Sequence, residues 1–209
     1  LALSGWDRRS SLLDPMCGAG TILFEAWMMA AGIAPNLHRK FGFESLYDYD
    51  PATHAAERRK LEERRYSPPK GMRLLGLEID EPTFRTLQKI RDRHFPDAPI
   101  DLVRCDFREY DPGKGFEAAV CNPPYGIRVG EGDDIGPLYQ ALGAFLSRHL
   151  GGGQAAIYTA NHDAAPLFGG KSENAVPLLN GSLEGRLYRF HPAGRVGKEG
   201  TGLRPGENE

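Results

Sequence analysis

Short apolar runs, interrupted by glycine- or proline-containing loops and by amphipathic segments, organise this chain. The apolar runs predict strands over residues 10–13, 73–80, 100–104, 116–121 and 154–160. Apolar positions at helical spacing predict helices after Gly20, after Pro82 and after Pro137. Strands that alternate with helices are typical of an α/β protein with a mostly parallel sheet.

The alternation is interrupted at two places. Residues 30–70 form an insertion between the first helix and the second strand, and Asp50-Pro51 within it predicts the start of a charged helix. Residues 173–179 and 186–191 predict an antiparallel hairpin closed through Asn180-Gly181-Ser182. We therefore expect one domain over residues 1–192, followed by a disordered tail over residues 193–209 that is rich in glycine, proline and charge.

A glycine loop follows the first predicted strand, with the sequence Asp14-Pro15-Met16-Cys17-Gly18-Ala19-Gly20-Thr21. Strand, glycine loop and helix make the first half of a Rossmann-like unit, in which glycine lets the backbone approach a ligand and the helix N-terminus offers free N–H groups. The spacing is not that of a dinucleotide-binding loop. The loop predicts a site for a smaller ligand, such as a zwitterionic aminocarboxypropyl group, and a plain tight turn is the alternative.

Acidic residues follow the second and third predicted strands. Glu78 and Asp80 share one face by strand alternation, at the position where adenosine-type ligands have their ribose hydroxyls bound. Asp80 has an alternative role as the cap of the next helix. Asp106 can accept from an adenine amino group, with Phe107 against the ring.

The fourth predicted strand ends in Asn122-Pro123-Pro124-Tyr125. The prolines lock φ and favour extended geometry in the residue before each, which predicts a stiff corner. An amide oxygen and a backbone carbonyl can both accept from an exocyclic amino group, and a tyrosine face can stack on a heterocycle. The tetrapeptide therefore predicts chemistry on the amino group of a nucleobase, and the alternative is a proline turn whose Asn caps its own backbone.

Composition limits these interpretations. The chain has 209 residues, 40% of them hydrophobic and 26% charged, which is typical of a soluble globular protein. Its net charge of −2 gives no global basic signal, so a nucleic acid would need a local patch or another part of a longer protein. The basic residues of the inserted helix are interpreted mainly as a solvated face with ion pairs, and a basic ridge facing the substrate is the alternative.

The three cysteines form no Cys-x-x-Cys pair and predict neither a zinc site nor a disulfide framework. No apolar run reaches the length of a membrane span, and no signal-peptide pattern is present, so we expect a cytoplasmic protein without a membrane partner. The chain begins at Leu1 rather than at Met, and we expect it to be a fragment of a longer protein.

In chain order, the glycine loop, the two acidic strand ends and the Asn-Pro-Pro-Tyr corner resemble class I S-adenosylmethionine-dependent methyltransferases that modify amino groups. The loop, together with Ile33-Ala34-Pro35-Asn36 and Phe41-Gly42-Phe43-Glu44, narrows the resemblance to THUMP-associated RNA guanine-N2 methyltransferases, especially bacterial enzymes of large-subunit ribosomal RNA. Residues 122–126 with Arg128 match that family's Asn-Pro-Pro-Tyr-Gly-x-Arg pattern. The resemblance covers about Leu1 to Pro192, which would form the methyltransferase catalytic domain.

The resemblance implies a Rossmann-like class I methyltransferase fold, with a mostly parallel seven-stranded sheet and a closing antiparallel hairpin. It implies methyl transfer from S-adenosylmethionine to guanine N2, in 23S ribosomal RNA or an assembly intermediate of it, without a metal. It also implies a set of cofactor-binding positions for the methionine part, the ribose and the adenine. These are Asp14, Pro15, Cys17, Gly18, Gly20, Thr21, Glu78, Asp80, Asp106, Phe107 and Asn122.

The resemblance places the catalytic positions at Asn122 and Pro123, whose oxygens would hold the target amine, and at Tyr125, which would stack on the guanine. Tyr125 and Arg128 are the implied substrate-binding positions. An N-terminal THUMP domain is expected in the full-length protein. The alternatives are a tRNA guanine-N2 methyltransferase, a DNA adenine-N6 methyltransferase, a protein-glutamine methyltransferase and a catalytically inactive RNA-binding module.

Overall fold

A computed structural model describes residues 1–126, 135–163, 165–169, 171–172 and 175–192. The predicted tail over residues 193–209 and the predicted substrate residue Arg128 lie outside the described residues. Among the residues that are described, no helix combines the length and the apolar character that a membrane crossing needs.

The centre of the protein is a mixed sheet of eight strands in the order β3-β2-β1-β4-β5-β8-β6, with β7 also paired to β8. The strands are β1 (Leu12–Asp14), β2 (Leu74–Glu78), β3 (Ile100–Arg104), β4 (Ala118–Cys121), β5 (Gln154–Thr159), β6 (Lys171–Ser172), β7 (Val176–Asn180) and β8 (Leu183–His191). Strands β1 to β5 pair in parallel, and β8 is antiparallel to β5.

The outer edge of β8 carries two short segments. β7 pairs with the first half of β8, from Leu183 to Leu187, and β6 pairs with its end at Phe190 and His191. Since β5 occupies the other edge of β8, the two segments share one strand position. The predicted seven-stranded, mostly parallel sheet with a closing hairpin is therefore confirmed. Its seventh strand position, next to β8, is shared by the two short strands β6 and β7.

In the described part of the chain, four α-helices cover or border the sheet: α1 (Thr21–Ala31), α2 (Pro51–Glu63), α3 (Glu81–His94) and α4 (Gly136–His149). Asp50 caps α2 by accepting from the Ala52 N–H at 2.9 Å, and Asp80 caps α3 by accepting from the Thr83 N–H at 2.9 Å. Each cap is followed by a proline in the first helical turn, where no N–H donor is required. Local chemistry thus sets the starts of both helices.

Neighbouring residues of the central strands point into two different cores. Leu13 and Leu75 pack in the core that includes α4, whereas Leu12 and Leu74 pack in the core that includes α1 and α3. β1 and β4 are buried at every position, as expected for parallel strands covered on both faces. The sheet is therefore a rigid platform for the loops at its edges.

The insertion is a surface structure. Residues 38–71 include no buried residue, and α2 buries none of its side chains. Stacked rings of Phe41 and Phe43, with centroids 5.5 Å apart, and an ion pair between Arg58 and Glu44 at 3.4 Å hold it together. It leaves the sheet after α1 and returns before β2, so its attachment is at the end opposite to the carboxyl ends of the strands.

Helix α4 approaches the backbone of the short 3-10 helix Ala165–Phe168 at Gly143. A Cβ atom on Gly143 would lie 1.9 Å from the carbonyl oxygen of Phe168. One turn earlier, the Tyr139 ring stacks on the Phe168 ring with centroids 4.7 Å apart. Glycine at this position therefore permits the close packing that places Tyr139 against the end of β5.

We expect Gly143→Ala to destabilise the protein, although alanine favours helices by about 1 kcal/mol over glycine. The added methyl group would displace α4 or the Phe168 backbone, at a cost of roughly 1–3 kcal/mol. Gln140→Ala, on the exposed side of the same helix, is the control and should change the free energy of unfolding by less than about 0.5 kcal/mol. Urea denaturation measures both values. A Gly143→Ala protein as stable as the wild type would contradict this packing.

Candidate active site

A cavity of about 380 Å³ opens at the carboxyl ends of β1, β2 and β3. It lies beside the point between β1 and β4 where the strand order reverses, which is the usual ligand position in α/β sheets. Its walls are Pro15, Met16, Gly18, Glu78, Ile79, Cys105, Asp106, Phe107, Arg108, Pro124 and Leu138. The volume is in the range of small-molecule sites.

The glycine loop forms one wall of the cavity. Gly18 has a positive φ of 54°, and a Cβ atom on it would meet nothing within 4 Å. Gly20 has a φ of 83°, and a Cβ atom there would lie 2.3 Å from Leu87 Cδ1. Gly18 thus leaves open space for a ligand, whereas Gly20 allows α1 to start against α3.

Glu78 joins two loops at the cavity. Its Oε2 accepts from the Gly18 N–H at 2.9 Å, and its Oε1 accepts from the Asp80 N–H at 2.7 Å. Each oxygen keeps a lone pair that can accept from a ligand hydroxyl. The Asp80 carboxylate caps α3 and does not line the cavity, so the geometry favours Glu78 as the acceptor for a ribose.

Asp106 supplies the second carboxylate of the cavity. It accepts from the Arg108 backbone N–H at 2.9 Å, and the Arg108 guanidinium contacts both of its oxygens. These hydrogen bonds from Arg108 lower the pKa of Asp106, so the carboxylate stays ionised and acts only as an acceptor. Phe107 beside it is buried and packs edge-on against Phe145, with ring centroids 5.4 Å apart.

Asp14 lies beneath the glycine loop and is 1% exposed. Its Oδ1 accepts from the Met16 N–H at 3.3 Å, and its buried Oδ2 has no hydrogen-bond partner among the described residues, although the Cys121 thiol lies beside the carboxyl group. Burial raises the pKa of Asp14 to about 7. This aspartate supports the loop from below and does not line the cavity.

Burial also raises the pKa of the Cys17 and Cys121 thiols, so both remain neutral. Cys17 packs against β2, where a Cβ atom on Gly76 would lie 2.8 Å from the Cys17 sulfur. Within the described part of the chain, no group of three or more His, Cys, Asp or Glu side chains is placed to hold a metal ion. Cys17 and Cys121, both buried, therefore act as packing residues around the loop.

The Asn-Pro-Pro-Tyr corner borders the cavity through Pro124. Asn122 is exposed, and its Oδ1 accepts a hydrogen bond from the Tyr125 hydroxyl. The Tyr125 ring packs edge-on against Tyr158, with centroids 6.0 Å apart. A tyrosine hydroxyl from the same corner thus uses one of the two lone pairs of this amide oxygen, and the other can accept from a substrate amine.

The structure brings only part of the predicted set to the cavity surface. The predicted residues that line it are Pro15, Gly18, Glu78, Asp106 and Phe107. Those that do not line it are Asp14, Cys17, Gly20, Thr21, Asp80, Asn122, Pro123 and Tyr125. Sequence reasoning missed Ile79, which is 63% exposed, and also Arg108 and Leu138. An apolar residue between two acids at a strand end was a usable signal for Ile79.

The cavity fits an adenosine-containing ligand on chemical grounds. Glu78 offers acceptors for sugar hydroxyls, and the ionised Asp106 offers an acceptor for an amino group. Ile79 and Phe107 add apolar surface for a flat ring. The open space at Gly18 leaves room for an extended chain that leads from the sugar toward the loop.

We expect Asp14→Asn to change the pH dependence of stability. Because burial raises the pKa of Asp14 to about 7, the folded protein holds a proton there that the unfolded chain, with a carboxyl pKa of about 3.9, releases. The wild type should therefore lose stability relative to Asp14→Asn as pH rises from about 4 to 7, by at most about 4 kcal/mol. Urea denaturation over this pH range measures the difference.

Asp7→Asn is the matched control for this measurement. Burial of Asp7 opposes ionisation, but hydrogen bonds from Ser10 and Arg9 outweigh it and lower the pKa of this carboxyl. Asp7→Asn should therefore lose stability relative to the wild type as pH rises through about 4, the opposite sign. A difference between the wild type and Asp14→Asn that does not vary with pH would show that Asp14 is ionised in the folded protein.

Known proteins resemble this chain over most of its length. The sequence profile of the family described as "RMKL-like, methyltransferase domain" matches residues 1–189. The chain is 33% identical over 207 residues to ribosomal RNA large subunit methyltransferase K/L of Vibrio cholerae serotype O1, covering 95% of this chain and 29% of that protein. It is 35% identical over 204 residues to the protein of the same name from Photobacterium profundum, covering 94% of this chain and 28% of that protein.

The chain thus spans less than a third of the length of these curated relatives. Among solved structures, that of SMU.472 in complex with SAH superposes with a TM-score of 0.78 at 28% identity, covering 91% of this chain and 50% of that chain. This likeness confirms the predicted class I methyltransferase fold. Since the family profile extends over nearly the whole chain, the protein belongs to the RMKL-like methyltransferase domain family.

Proposed function

We propose that the protein transfers a methyl group from S-adenosylmethionine to the exocyclic N2 amine of a guanine in 23S ribosomal RNA. The observation that carries the proposal is the position of the Asn-Pro-Pro-Tyr corner at the edge of a cavity whose lining suits an adenosine-containing ligand. The name of the relatives, ribosomal RNA large subunit methyltransferase, supports the RNA class, and the SAH in the SMU.472 structure supports the cofactor.

The residues of the cavity would hold the cofactor by its polar ends. Glu78 would accept from the ribose hydroxyls with the lone pairs that Gly18 and Asp80 leave free. Asp106, kept ionised by Arg108, would accept from the adenine amine. The methionine part would lie along the open space at Gly18. When bound, the cofactor supplies an electrophilic methyl group on its sulfonium.

Asn122 and Pro123 would prepare the target amine. The N2 lone pair of guanine is delocalised into the ring, so the amine is a poor nucleophile. Two acceptors, the Asn122 amide oxygen and the Pro123 carbonyl, would favour a pyramidal amine and stabilise the positive charge that develops on it. After the methyl group leaves the sulfonium, the methylated amine would lose one proton to solvent. The Tyr125 hydroxyl donates to one lone pair of the Asn122 oxygen, which leaves the second lone pair for the target amine.

Most of the catalytic effect in this proposal comes from positioning. Correct placement of two reactants can contribute roughly 7–11 kcal/mol in favourable cases. Tyr125 would stack on the guanine and Asn122 would fix its edge, which leaves the amine directed toward the cavity bordered by Pro124. A paired guanine would first leave its helix, at a cost of a few kcal/mol.

We expect Asn122→Ala to separate methyl transfer from cofactor binding. The change removes the acceptor for the amine and leaves Glu78, Asp106 and the glycine loop in place. Single-turnover transfer of labelled methyl to ribosomal RNA should fall by roughly 10²–10³. Affinity for S-adenosylmethionine, measured by calorimetry, should stay within about threefold, since less than 1 kcal/mol is involved.

Glu78→Ala is the matched comparison because it should affect the other step. Loss of its charge-assisted hydrogen bonds to the ribose and to Gly18 should weaken cofactor binding by roughly 1–3 kcal/mol. If Asn122→Ala transfers methyl at the wild-type rate, the corner is only a turn and the proposed mechanism is wrong. If Glu78→Ala binds the cofactor normally, the ribose lies elsewhere.

A further inference from the structure

A chain of hydroxyl groups lies behind the Asn-Pro-Pro-Tyr corner. The Tyr139 hydroxyl of α4 donates to the Pro124 carbonyl oxygen at 3.0 Å, and it lies 2.7 Å from the Thr159 Oγ1 at the end of β5. Thr159 Oγ1 accepts from the Asn161 backbone N–H at 2.9 Å. The Asn161 side-chain amide then donates to the Tyr125 carbonyl oxygen at 3.2 Å. Two successive carbonyls of the corner are therefore held from below.

The count of protons sets the direction of this chain. The single hydroxyl proton of Tyr139 is used by the Pro124 carbonyl, so the Thr159 hydroxyl donates to the Tyr139 oxygen. Thr159 in turn receives the Asn161 N–H, and the chain runs in one direction from Asn161 to Pro124. Hydrogen bonds aligned in this way strengthen one another in a protein interior.

Because the two hydroxyl groups are buried, the loss of any one hydrogen bond between them and the corner is costly. Tyr139 and Thr159 are both 0% exposed, so water cannot replace a lost partner at either hydroxyl. Burial raises the pKa of Tyr139, which keeps the phenol neutral and able to donate. A buried polar group left without a partner is costly, so the corner is held where Tyr139 can reach the Pro124 carbonyl.

The hydroxyls are not needed for packing of the core. The Tyr139 ring stacks on Phe168, and a phenylalanine ring would make the same contact. Thr159 ends a strand whose other buried positions are Ala155, Ala156 and Ile157, and valine would place a methyl group of similar size where threonine has its hydroxyl. The hydroxyl groups of Tyr139 and Thr159 therefore serve to bind the Asn-Pro-Pro-Tyr corner rather than to fill the core.

We infer that Tyr139 and Thr159, with Asn161, are positioning residues that hold the Asn-Pro-Pro-Tyr corner in register with the cofactor cavity. This inference rests on the proposed function, since it concerns the geometry of methyl transfer at the corner. The Pro123 carbonyl, a proposed acceptor, lies one peptide unit before the carbonyl that Tyr139 holds. A shift of that unit moves the acceptor away from the target amine, and a misplacement of about 1 Å can reduce a rate about 100-fold.

The test compares four single variants and one double variant of the protein in methyl transfer and in cofactor binding. Tyr139→Phe and Thr159→Val remove one hydroxyl each and keep the shape of the side chain. Thr159→Ser restores the hydroxyl without the methyl group. Tyr158→Phe is the control, because its hydroxyl contacts the Leu178 carbonyl at 3.4 Å and not the corner. Ribosomal RNA with labelled S-adenosylmethionine is the substrate, and calorimetry measures cofactor affinity.

We expect Tyr139→Phe and Thr159→Val to lower kcat by roughly 10- to 100-fold. Cofactor affinity should stay within about threefold in every variant. Thr159→Ser and Tyr158→Phe should keep kcat within about threefold of the wild type. Because both hydroxyls act through one chain, Tyr139→Phe combined with Thr159→Val should be no slower than about the slower single variant.

Each result bears on one of two claims. A wild-type protein that transfers no methyl to RNA refutes the proposed function. An active wild type with Tyr139→Phe and Thr159→Val at the wild-type kcat overturns the positioning role alone. Loss of cofactor binding in step with kcat also overturns it, because the hydroxyls would then serve the folding of the whole domain. Amide hydrogen exchange at Tyr125 and Gly126 that rises only in the two hydroxyl-deleting variants supports it.

Discussion

Parallel pairing of β1 with β2 on one side and β4 on the other is the constraint on which the site depends. β1 has only three residues, all buried, and it sets the register of both neighbours through Leu12, which pairs with Leu74 and Ala118. Because parallel strands end at the same edge, this register brings the glycine loop, Glu78 and the Asn-Pro-Pro-Tyr corner together. The apolar core thus determines which polar groups meet.

Hydrogen bonds between neighbouring loops then remove the freedom that strand ends usually have. The Cys17 N–H donates to the Leu77 carbonyl at 2.9 Å, and the Cys105 N–H donates to the Glu78 carbonyl at 3.0 Å. The Glu78 side chain adds a link to Gly18 over a sequence separation of 60 residues. A cavity wall made in this way is formed before any ligand arrives, which lowers the entropy cost of binding.

Much of this arrangement is predictable from the sequence, because it follows from local chemistry. The third strand, Ile100–Arg104, and the caps at Asp50 and Asp80 lie where apolar runs and Asp-x-Pro or Asp-Pro signals place them. Features that join distant residues were not predictable. The bond from the Gly18 N–H to Glu78, 60 residues apart, and the bond from Tyr139 to Pro124 depend on side-chain positions in the folded protein.

The identity of the methylated nucleoside tests the central claim most directly. The protein would be incubated with unmodified large-subunit ribosomal RNA and S-adenosylmethionine carrying a labelled methyl group, and the digested RNA would be separated by mass spectrometry. The proposed function predicts label in N2-methylguanosine, with Asn122 and the Pro123 carbonyl as the proposed acceptors for the guanine amine and Tyr125 as the proposed stacking partner. Label in N6-methyladenosine, or transfer to protein glutamine with none to RNA, would contradict it.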